Sequence, residues 1–520
     1  MLSFYSDSYS FLAVYPDTEP DMTGTITLNS AEGSVKKACR RRTCIVFPLR
    51  KNMAYTLYAE NATVELAYLF SENDSENGIV FPDAGREESG ADVYHFSSSH
   101  LPLLGLSAVF FFEGSFHLFY LSSPFQKADE NRYLCHAKSQ DLLSWKHLPI
   151  LLEPWPELCL TRHRTGGIFG GCAEEKDGII KLYFTRRIVE RKTGKILSAF
   201  QSAVESRDLL HFSPEKTVIK DVPTKVGPDV RDPFVFSENG VRYMVQGGTA
   251  LEKGAVLLYK ETTEGWQYMS LLYKSAGSDR IDFPSAFRLG RTFVLLCTLQ
   301  GFTDKDGTPS PAYLFHGSFR EGICRIKSRE RLDFGGDFYA PRTVLDGKRR
   351  LIFGTSGENG GSLLIRELSR KNGIFYVKPV EEMYAVLGEE TCWKIENTVS
   401  FYPKSSFLYV RLCFDGNAPF RLRLGRNGEE TLSFSGDGQS CGFLVGTSSG
   451  EKFHDAGIRP CEIEIFADSE TVSVFINGGI AAGTKRFLRT DNGIKAEFTD
   501  VKKVKSLVFR EGKPGKNRFS

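Results

Sequence analysis

Two acidic residues stand at the start of apolar segments whose composition is typical of β-strands. Asp232 follows Arg231 and precedes Pro233, and Asp282 precedes the pair Phe283–Pro284. Proline has no backbone N–H and fixes its own φ, so it sets the direction in which the chain enters a strand. A single acidic residue ahead of a proline at a strand start would indicate only a turn. Because two of them begin adjacent repeating units, we expect Asp232 and Asp282 to face one pocket and to supply carboxyl groups for acid–base chemistry there.

The units that these residues begin belong to a set of five. Each unit enters on a short polar or Gly/Pro step, runs apolar, turns on Gly, Asn or a charged pair, and returns apolar. The units begin at Ser107, Phe169, Asp232, Phe283 and Ala340. Successive starts are 62, 63, 51 and 57 residues apart. Strand-built repeats at this spacing indicate a β-propeller with five blades. A propeller gathers the heads of its inner strands around one axial pocket, and we expect the chemistry to lie there.

An all-β architecture is predicted on both sides of the propeller, which we place at 93–385. Residues 1–90 contain short alternating runs that predict a small N-terminal β domain. Residues 390–512 alternate without the blade period and predict a C-terminal β-sandwich, with a clear hairpin at 462–479. The polar stretch at 83–92 is typical of a linker between the first domain and the propeller.

The composition is that of a globular protein without bulk charge. The 520 residues carry a net charge of +2 and are 41% hydrophobic, so neither a nucleic-acid nor a membrane partner is indicated. The eleven cysteines occur singly, without a Cys-x-x-Cys pair, which favours reduced thiols in a cytoplasmic protein over a disulfide framework or a zinc site. No secretory signal or transmembrane helix is predicted. We expect no metal and no cofactor, and these residues do not specify an oligomeric state.

Several segments together resemble glycoside hydrolase family 32, the invertase and fructanase family. They are SFHLFYLSSPF in the first unit, Arg-Asp-Pro at 231–233, the strand DFYAPRTVLDGKRRLIFG at 337–354, and the sandwich hairpin IFADSETVSVFINGG. The resemblance covers about 95–385 well and the sandwich moderately. It implies a five-bladed propeller followed by a β-sandwich and a small saccharide or oligosaccharide ligand. The implied reaction is cleavage of the O-glycosyl bond of a fructofuranoside or a related sugar.

The family uses three carboxylates, and the resemblance implies where they fall in this chain. Asp232 would hold sugar hydroxyls and stabilise the transition state. Asp282 takes the place of the acid/base glutamate and is one methylene shorter, which sets its carboxyl back by about 1.5 Å. The nucleophile position is Gly105, which has no side chain to form a covalent intermediate. The further substrate-binding positions that the resemblance implies are Arg231, Tyr339, Phe169 and Gly170.

The loss of the nucleophile leaves three hypotheses open. A divergent hydrolase would keep Asp282 as the acid and Asp232 as the sugar-holding group, and would use a water or another group as nucleophile. The residues that could activate such a water are Glu174, Glu175, His100 and His163. A non-catalytic member would keep the sugar pocket and lose the chemistry. An inverting phosphorylase would use phosphate, for which Arg231 and Arg342 are basic residues near the predicted pocket, without an anion-binding motif.

Overall fold

The computed structural model describes a chain made almost entirely of β-strands. It describes all residues except 20, 73–74, 83–95, 97, 126–130, 393–397, 402–407, 415, 417–418, 427–428, 448–449, 469, 487–494, 500–503 and 512–520. The two helices in the described part are short, α1 (Pro156–Leu160) and α2 (Glu382–Ala385). Neither of them has the length and hydropathy that a membrane span requires.

The N-terminal part consists of two small antiparallel sheets. Its strands are β1 (Leu2–Ser6), β2 (Phe11–Asp17), β3 (Gly24–Ser30), β4 (Gly33–Cys39), β5 (Ile45–Pro48), β6 (Met53–Glu60) and β7 (Thr63–Phe70). One sheet has the order β1-β6-β3-β4 and the other β5-β2-β7. Strand β5 alternates buried Ile45 and Phe47 with exposed Val46, the pattern of a strand with one face on a core. Leu12, from the same sheet, packs with them, so this part has a core of its own.

Five four-stranded sheets follow, and each runs from its inner to its outer strand in chain order. The first is β8 (Gly105–Phe112), β9 (Ser115–Ser122), β10 (Tyr133–Ser139) and β11 (Lys146–Leu152). The second is β12 (Arg164–Lys176), β13 (Ile179–Glu190), β14 (Ile196–Ser206) and β15 (Lys216–Ile219). The third is β16 (Arg231–Glu238), β17 (Val241–Ala250), β18 (Lys253–Thr262) and β19 (Gly265–Lys274). The fourth is β20 (Arg280–Leu289), β21 (Thr292–Gln300), β22 (Ala312–Arg320) and β23 (Ile323–Arg331), and the fifth is β24 (Tyr339–Leu345), β25 (Arg350–Thr355), β26 (Leu363–Lys371) and β27 (Ile374–Pro379).

Burial along these sheets shows how the five blades stack face to face. Every residue of β9, the second strand of the first blade, is buried, because a neighbouring layer covers each face of the sheet. In contrast, most residues of β23, the outer strand of the fourth blade, are exposed. The apolar residues therefore lie between blades, and the outer strands face solvent.

Hydrogen bonds between inner strands run around the ring and close it. Ser107 on the first blade donates to the carbonyl of Phe169 on the second at 3.4 Å, and the backbone N–H of Phe283 on the fourth donates to Asp232 on the third at 3.0 Å. The last blade returns to the first, because Arg342 Nε donates to the carbonyl of Ser107 at 3.1 Å. All five inner strands thus begin at one end of a common axis.

Two six-stranded sheets form the C-terminal part. The first has the order β28-β39-β30-β35-β36-β37, and the second has the order β29-β38-β31-β32-β33-β34. Their strands are β28 (Thr391–Cys392), β29 (Thr398–Phe401), β30 (Leu408–Phe414), β31 (Phe420–Arg426), β32 (Glu429–Gly436), β33 (Cys441–Thr447), β34 (Gly450–Asp455), β35 (Glu462–Ala467), β36 (Thr471–Ile476), β37 (Ala481–Arg486), β38 (Lys495–Thr499) and β39 (Val504–Glu511). Residues of both sheets, among them Val410, Phe434 and Ile465, share one core, as in a β-sandwich.

The predicted class, a β-propeller followed by a β-sandwich with a small additional N-terminal β unit, is confirmed. The hairpin predicted at 462–479 is present as β35 and β36, and its turn is closed by a hydrogen bond of 2.8 Å from Asp468 N to Thr471 O. The linker predicted at 83–92, and with it the boundary between the first domain and the propeller, lies outside the described residues.

Candidate active site

In three successive blades the inner strand begins with the same distortion. Strands β16, β20 and β24 each shift register against the next strand of the same blade. Near the start of each strand one residue has a positive φ: Asp232 at 59°, Phe283 at 53° and Ala340 at 58°. A left-handed conformation costs an L-residue roughly 1–2 kcal/mol, so the surrounding contacts must hold it. Such bulges re-aim side chains and are frequent next to active sites. Here they bring Asp232, Asp282 and Tyr339 to the head of the axis.

Buried hydrogen bonds hold both the carboxyl group and the backbone N–H of Asp232. Asp232 is 1% exposed, and its Oδ2 accepts a hydrogen bond from the backbone N–H of Phe283 at 3.0 Å. Its own backbone N–H donates to Thr185 Oγ1 at 3.0 Å, and that hydroxyl donates to Gln201 Oε1 at 2.8 Å. The other oxygen, Oδ1, points at the second blade, since a Cβ built on Gly170 would lie 2.2 Å from it. Gly170 is therefore required for this carboxyl position.

Asp282 is equally buried, but its carboxylate is held by cationic and hydroxyl donors. Arg280 donates from Nε to Oδ1 at 2.6 Å and from Nη2 to Oδ2 at 2.9 Å, a two-point contact. The Tyr339 hydroxyl donates to Oδ2 at 3.0 Å. Hydrogen bonds from a charged donor to an ionised carboxylate are roughly twice as strong as neutral ones. This arrangement holds Asp282 as an anion.

Asp229 forms the centre of a cluster of three arginines beside these two carboxyls. Arg187 contacts Asp229 with Nη2 to Oδ2 and Nε to Oδ1, both at 3.2 Å. Arg231 donates to the same two oxygens, with Nε to Oδ1 at 3.1 Å, and Arg280 Nη1 lies 3.8 Å from Oδ2. The Arg187 guanidinium also lies 5.1 Å from the ring centre of Phe169. Counting Asp282, three guanidinium groups face two carboxylates.

The surroundings move the pKa values of the two site carboxyls in opposite directions. Burial raises the pKa of Asp232, and the negative charge of Asp282 raises it further, against the lowering effect of Arg342 and Arg231. Burial alone would also raise the pKa of Asp282, but Arg231, the hydrogen bonds from Arg280 and the Tyr339 hydroxyl outweigh it and bring that pKa below its ordinary value. Environments that separate two carboxyl pKa values assign acid and base roles. Asp232 therefore holds its proton to a higher pH than Asp282 does.

The other residues expected at the site lie around these carboxyls. The ring of Tyr339 meets Phe283 edge-on, with centroids 5.7 Å apart. Phe169 is half-buried under Arg187 and under Arg231, whose guanidinium lies 5.9 Å from the Phe169 ring centre. The geometry therefore brings Arg231, Tyr339 and Phe169 together with Asp232 and Asp282. The sequence analysis predicted these five and did not predict Arg187, Asp229 or Arg280.

Gly105 begins β8, the inner strand of the first blade. It is buried, and its φ is not in the left-handed region. Within the part of the chain that the structure describes, a Cβ built there comes within 4 Å of the side chain of Leu121 alone, with the nearest atom at 3.4 Å. A side chain at this position is thus compatible with the local packing, and the glycine itself brings no nucleophile.

The residues proposed to activate a water lie elsewhere. Glu174 and Glu175 are near the far end of β12, and Glu174 is four residues beyond Gly170, roughly 13 Å along a strand. Glu174 pairs with Arg242 and Glu175 accepts a hydrogen bond from Gly178 N at 3.0 Å. His100 stacks on Phe81 at 4.1 Å between ring centres. His163 is exposed in the segment ahead of β12. These residues are not gathered at the carboxyl pair.

Comparison with known proteins gives relatives of one kind. Residues 104–361 match the glycosyl hydrolases family 32 N-terminal domain. A sucrose-6-phosphate hydrolase of Salmonella typhimurium is 28% identical over 449 residues, which are 79% of this chain and 92% of that protein. A raffinose invertase of Escherichia coli is 27% identical over 425 residues, 73% of this chain and 86% of that protein.

Solved structures show the same fold. A glycoside hydrolase family 32 structure from Bifidobacterium adolescentis superposes with a TM-score of 0.88 at 21% identity, and the match covers 98% of this chain and 99% of that one. A Bombyx mori β-fructofuranosidase superposes with a TM-score of 0.67 at 20% identity, covering 81% of this chain and 93% of that one. A mutant of the Bombyx mori enzyme was solved in complex with sucrose.

Proposed function

Because this chain belongs to glycoside hydrolase family 32, we propose that it hydrolyses the O-glycosyl bond of a β-fructofuranoside at the head of the propeller axis. The observation that carries this proposal is the pair Asp232 and Asp282, two carboxyls from adjacent blades with opposite pKa shifts in one buried site. A glycosidase needs one carboxyl that gives a proton and one that acts as a base or nucleophile. The curated relatives are hydrolases, which favours this hypothesis over a non-catalytic binding protein.

We assign the proton-donor role to Asp232. Burial keeps its proton to a higher pH than an exposed carboxyl would. As the glycosidic C–O bond breaks, the Asp232 proton passes to the leaving oxygen. The ionised Asp282, held by Arg280 and Tyr339, stabilises the positive charge that develops on the sugar ring.

The second half of the reaction uses water. Gly105 cannot form a covalent intermediate, so double displacement through that residue is closed. A water molecule attacks the anomeric carbon, and one of its protons passes to Asp282. The sugar product is therefore neutral. A single displacement inverts the anomeric configuration. The mechanism therefore differs from that of a retaining member of the family in its stereochemical outcome.

A phosphorylated sugar is the finer substrate class that the arginine cluster favours. Within the described residues, Arg187, Arg231 and Arg280 form ion pairs with Asp229 and Asp282, so with Asp232 protonated one positive charge is in excess. Guanidinium groups recognise phosphate through paired N–H donors. Several relatives are sucrose-6-phosphate hydrolases, and we extend that substrate class to this chain. Each of the eleven cysteines, all within the described residues, is a free thiol, in agreement with the cytoplasmic location that we propose.

The test compares sugar release from sucrose, sucrose 6-phosphate, short fructo-oligosaccharides, inulin and levan by chromatography. The proteins compared are the wild type, Asp232→Asn and Asp282→Asn. The matched control is Asp177→Asn, which changes an exposed acidic residue in the β12–β13 turn. We expect release by the wild type and the control, and a loss of at least 100-fold in both site variants, since general acid–base catalysis contributes about 10²–10⁴-fold.

An aryl fructofuranoside with a good leaving group separates the two roles. Such a leaving group departs without protonation, so Asp232→Asn should lose much less activity on it than on sucrose, whereas Asp282→Asn should lose activity on both. Equal losses on both substrates would contradict the donor role of Asp232. No release from any substrate by the wild type would contradict the proposed function itself.

A further inference from the structure

A second cavity lies on the propeller axis at the end away from the carboxyl pair. It has a volume of about 270 Å³. Its lining comes from β8, β12 and β24, at positions beyond the strand starts, together with Phe234 of β16 and Arg350 of β25. These residues follow the strand heads by several positions, so the cavity opens toward the hairpin turns. It is smaller than a typical drug-sized pocket, which starts at about 300 Å³.

Arg350 brings an uncompensated positive charge to this cavity. It is partly buried, and its buried Nε has no hydrogen-bond partner among the described residues. No carboxylate of the described part of the chain lies within ion-pair distance of it, and its guanidinium stacks 4.7 Å from the ring centre of Phe287. Burial without an acidic neighbour lowers the pKa of Arg350 to about 10. Buried charges in proteins are normally paired. The Arg350 guanidinium has no such partner in the described residues, so a bound anion would supply its counter-ion.

Arg342 contributes a second donor to the same cavity. It is 1% exposed, and three of its hydrogen bonds go to Ser107 O at 3.1 Å, Pro284 O at 3.0 Å and Ser285 Oγ at 3.4 Å. Its remaining nitrogen, Nη2, is buried and has no hydrogen-bond partner within the described structure. An unsatisfied buried donor costs about 1–3 kcal/mol, which a bound acceptor would recover.

The acidic residues in the cavity lining are already occupied. Glu174 forms an ion pair with Arg242, and Glu175 accepts a hydrogen bond from the backbone N–H of Gly178 at 3.0 Å. Neither carboxylate lies within ion-pair distance of Arg350 in the described residues. The remaining walls are largely apolar and include Phe110 and Phe111. The cavity therefore combines apolar walls with the guanidinium of Arg350, which forms no ion pair in the described part of the chain, and with the unpartnered Nη2 of Arg342.

We propose that this axial cavity is a binding site for a small organic anion that has an apolar body and one carboxylate or phosphate group. The anionic group pairs with Arg350 and reaches the free donor of Arg342, and the body packs on the apolar walls of the cavity. The site uses Arg350 and the Nη2 donor of Arg342, and neither carboxyl of the pair lines it.

The test measures binding of benzoate, phenyl phosphate, inorganic phosphate and the neutral isostere benzyl alcohol to the full chain by calorimetry. The variant is Arg350→Gln, and the matched control is Arg291→Gln, an exposed arginine in the neighbouring fourth blade. We expect the wild type and the control to bind benzoate or phenyl phosphate at least 10-fold more tightly than Arg350→Gln does. Benzyl alcohol has the apolar body without the anionic group, and inorganic phosphate has the anionic group without the body, so both should bind weakly. Activity on a fructofuranoside should be unchanged in Arg350→Gln.

A crystal of the wild type soaked with p-iodobenzoate gives a readout that does not depend on the variant folding. The iodine should appear inside the cavity against its apolar wall, with the carboxylate on Arg350. Iodine found only at other places, no binding of either aromatic anion by the wild type, or equal affinity in Arg350→Gln would each overturn the proposal. Displacement of the probe by substrate sugar would also overturn it, because the ligand would then occupy the carboxyl site.

Discussion

Arg342 of the fifth blade donates from Nε to the backbone carbonyl of Ser107 on the first blade, at a distance of 3.1 Å. Its Nη1 donates to the carbonyl of Pro284 on the fourth blade at 3.0 Å. The same guanidinium is the cation with the largest effect on the pKa of Asp232. One buried side chain thus closes the ring of blades and supports the candidate proton donor.

Replacing this arginine should affect stability more than a typical surface change would. In Arg342→Met two buried carbonyls lose their donor. Leaving a buried hydrogen-bonding group unsatisfied costs about 1–3 kcal/mol. We expect a loss of this size in the free energy of unfolding, measured by urea denaturation. Arg342→Lys, which keeps the charge, should lose less, and equal stability of the wild type and Arg342→Met would contradict the closing role.

Gly170→Ala tests the close approach between the second blade and Asp232. The added Cβ would lie 2.2 Å from Asp232 Oδ1 and 2.9 Å from Phe283 Cε1, so the carboxyl must move. A displacement of about 1 Å at a catalytic group can cost about 100-fold in rate. We expect a loss of this order in kcat with a smaller change in the melting temperature. A matched change is Gly194→Ala, since nothing lies within 4 Å of its Cβ, although its positive φ should lower stability slightly. Full activity of Gly170→Ala would show that Asp232 is not the donor.

The sequence predicted the frame of the site well because the frame is periodic. The five unit starts chosen from the pattern include Asp232, Phe283 and Ala340, where the positive φ values lie. The arginine cluster could not be predicted in the same way. Arg187 lies on β13, the second strand of its blade, and reaches Asp229 only because adjacent blades stack. The spacing of two residues between Asp229 and Arg231, which puts both side chains on one face of an extended chain, was a usable but weak signal.

The sequence also could not predict which of Asp232 and Asp282 has the higher pKa. It depends on Arg280 binding Asp282 at two points, while Asp232 receives only a neutral backbone donor. The same type of residue thus takes two roles according to its neighbours. A resemblance assigns roles by position, whereas the roles that we propose follow from these contacts.

Arg280→Met should shift the pH dependence of activity. Loss of Arg280 removes two hydrogen bonds and a charge from Asp282, so the pKa of Asp282 should rise toward the value of a buried carboxyl. Activity requires ionised Asp282, and the acid limb of the kcat profile should therefore move to higher pH. In the wild type the low pKa of Asp282 also stabilises the fold above the unfolded pKa, and this stabilisation is lost as pH falls through the folded value. An unmoved acid limb in Arg280→Met would contradict the base role of Asp282.

The buried histidine pair of the first blade predicts acid sensitivity. His117 Nδ1 and His136 Nε2 lie 2.9 Å apart, a contact in which one nitrogen must donate and the other accept. Burial, and secondarily Lys138, lowers the pKa of His117 to about 4, and burial lowers that of His136 well below its ordinary value. The stabilisation from the neutral form is present above the unfolded pKa of about 6.5 and is lost as pH falls toward 4, up to about 3 kcal/mol for His117.

Urea denaturation at pH 7.5 and pH 4.5 measures this effect. The wild type should lose stability between the two values, and His117→Gln should lose markedly less because glutamine does not titrate there. His211→Gln is the control, since His211 is exposed and pairs with Asp208 on the surface. The same pH dependence in the wild type and His117→Gln would contradict the assignment.

Gly105→Asp should change the stereochemistry of the reaction. Of the described residues, a Cβ at this position meets Leu121 alone, at 3.4 Å, and the backbone is not left-handed, so the substitution is tolerated locally. The new carboxylate would stand where the family resemblance implies the nucleophile, and a covalent intermediate followed by hydrolysis retains the anomeric configuration. With methanol as acceptor, we expect the wild type to give the inverted methyl fructofuranoside and Gly105→Asp to give the retained one, identified by NMR. Gly105→Asn has the same shape without the charge and should not give the retained product. Retention by the wild type would show that another residue of this chain already acts as the nucleophile.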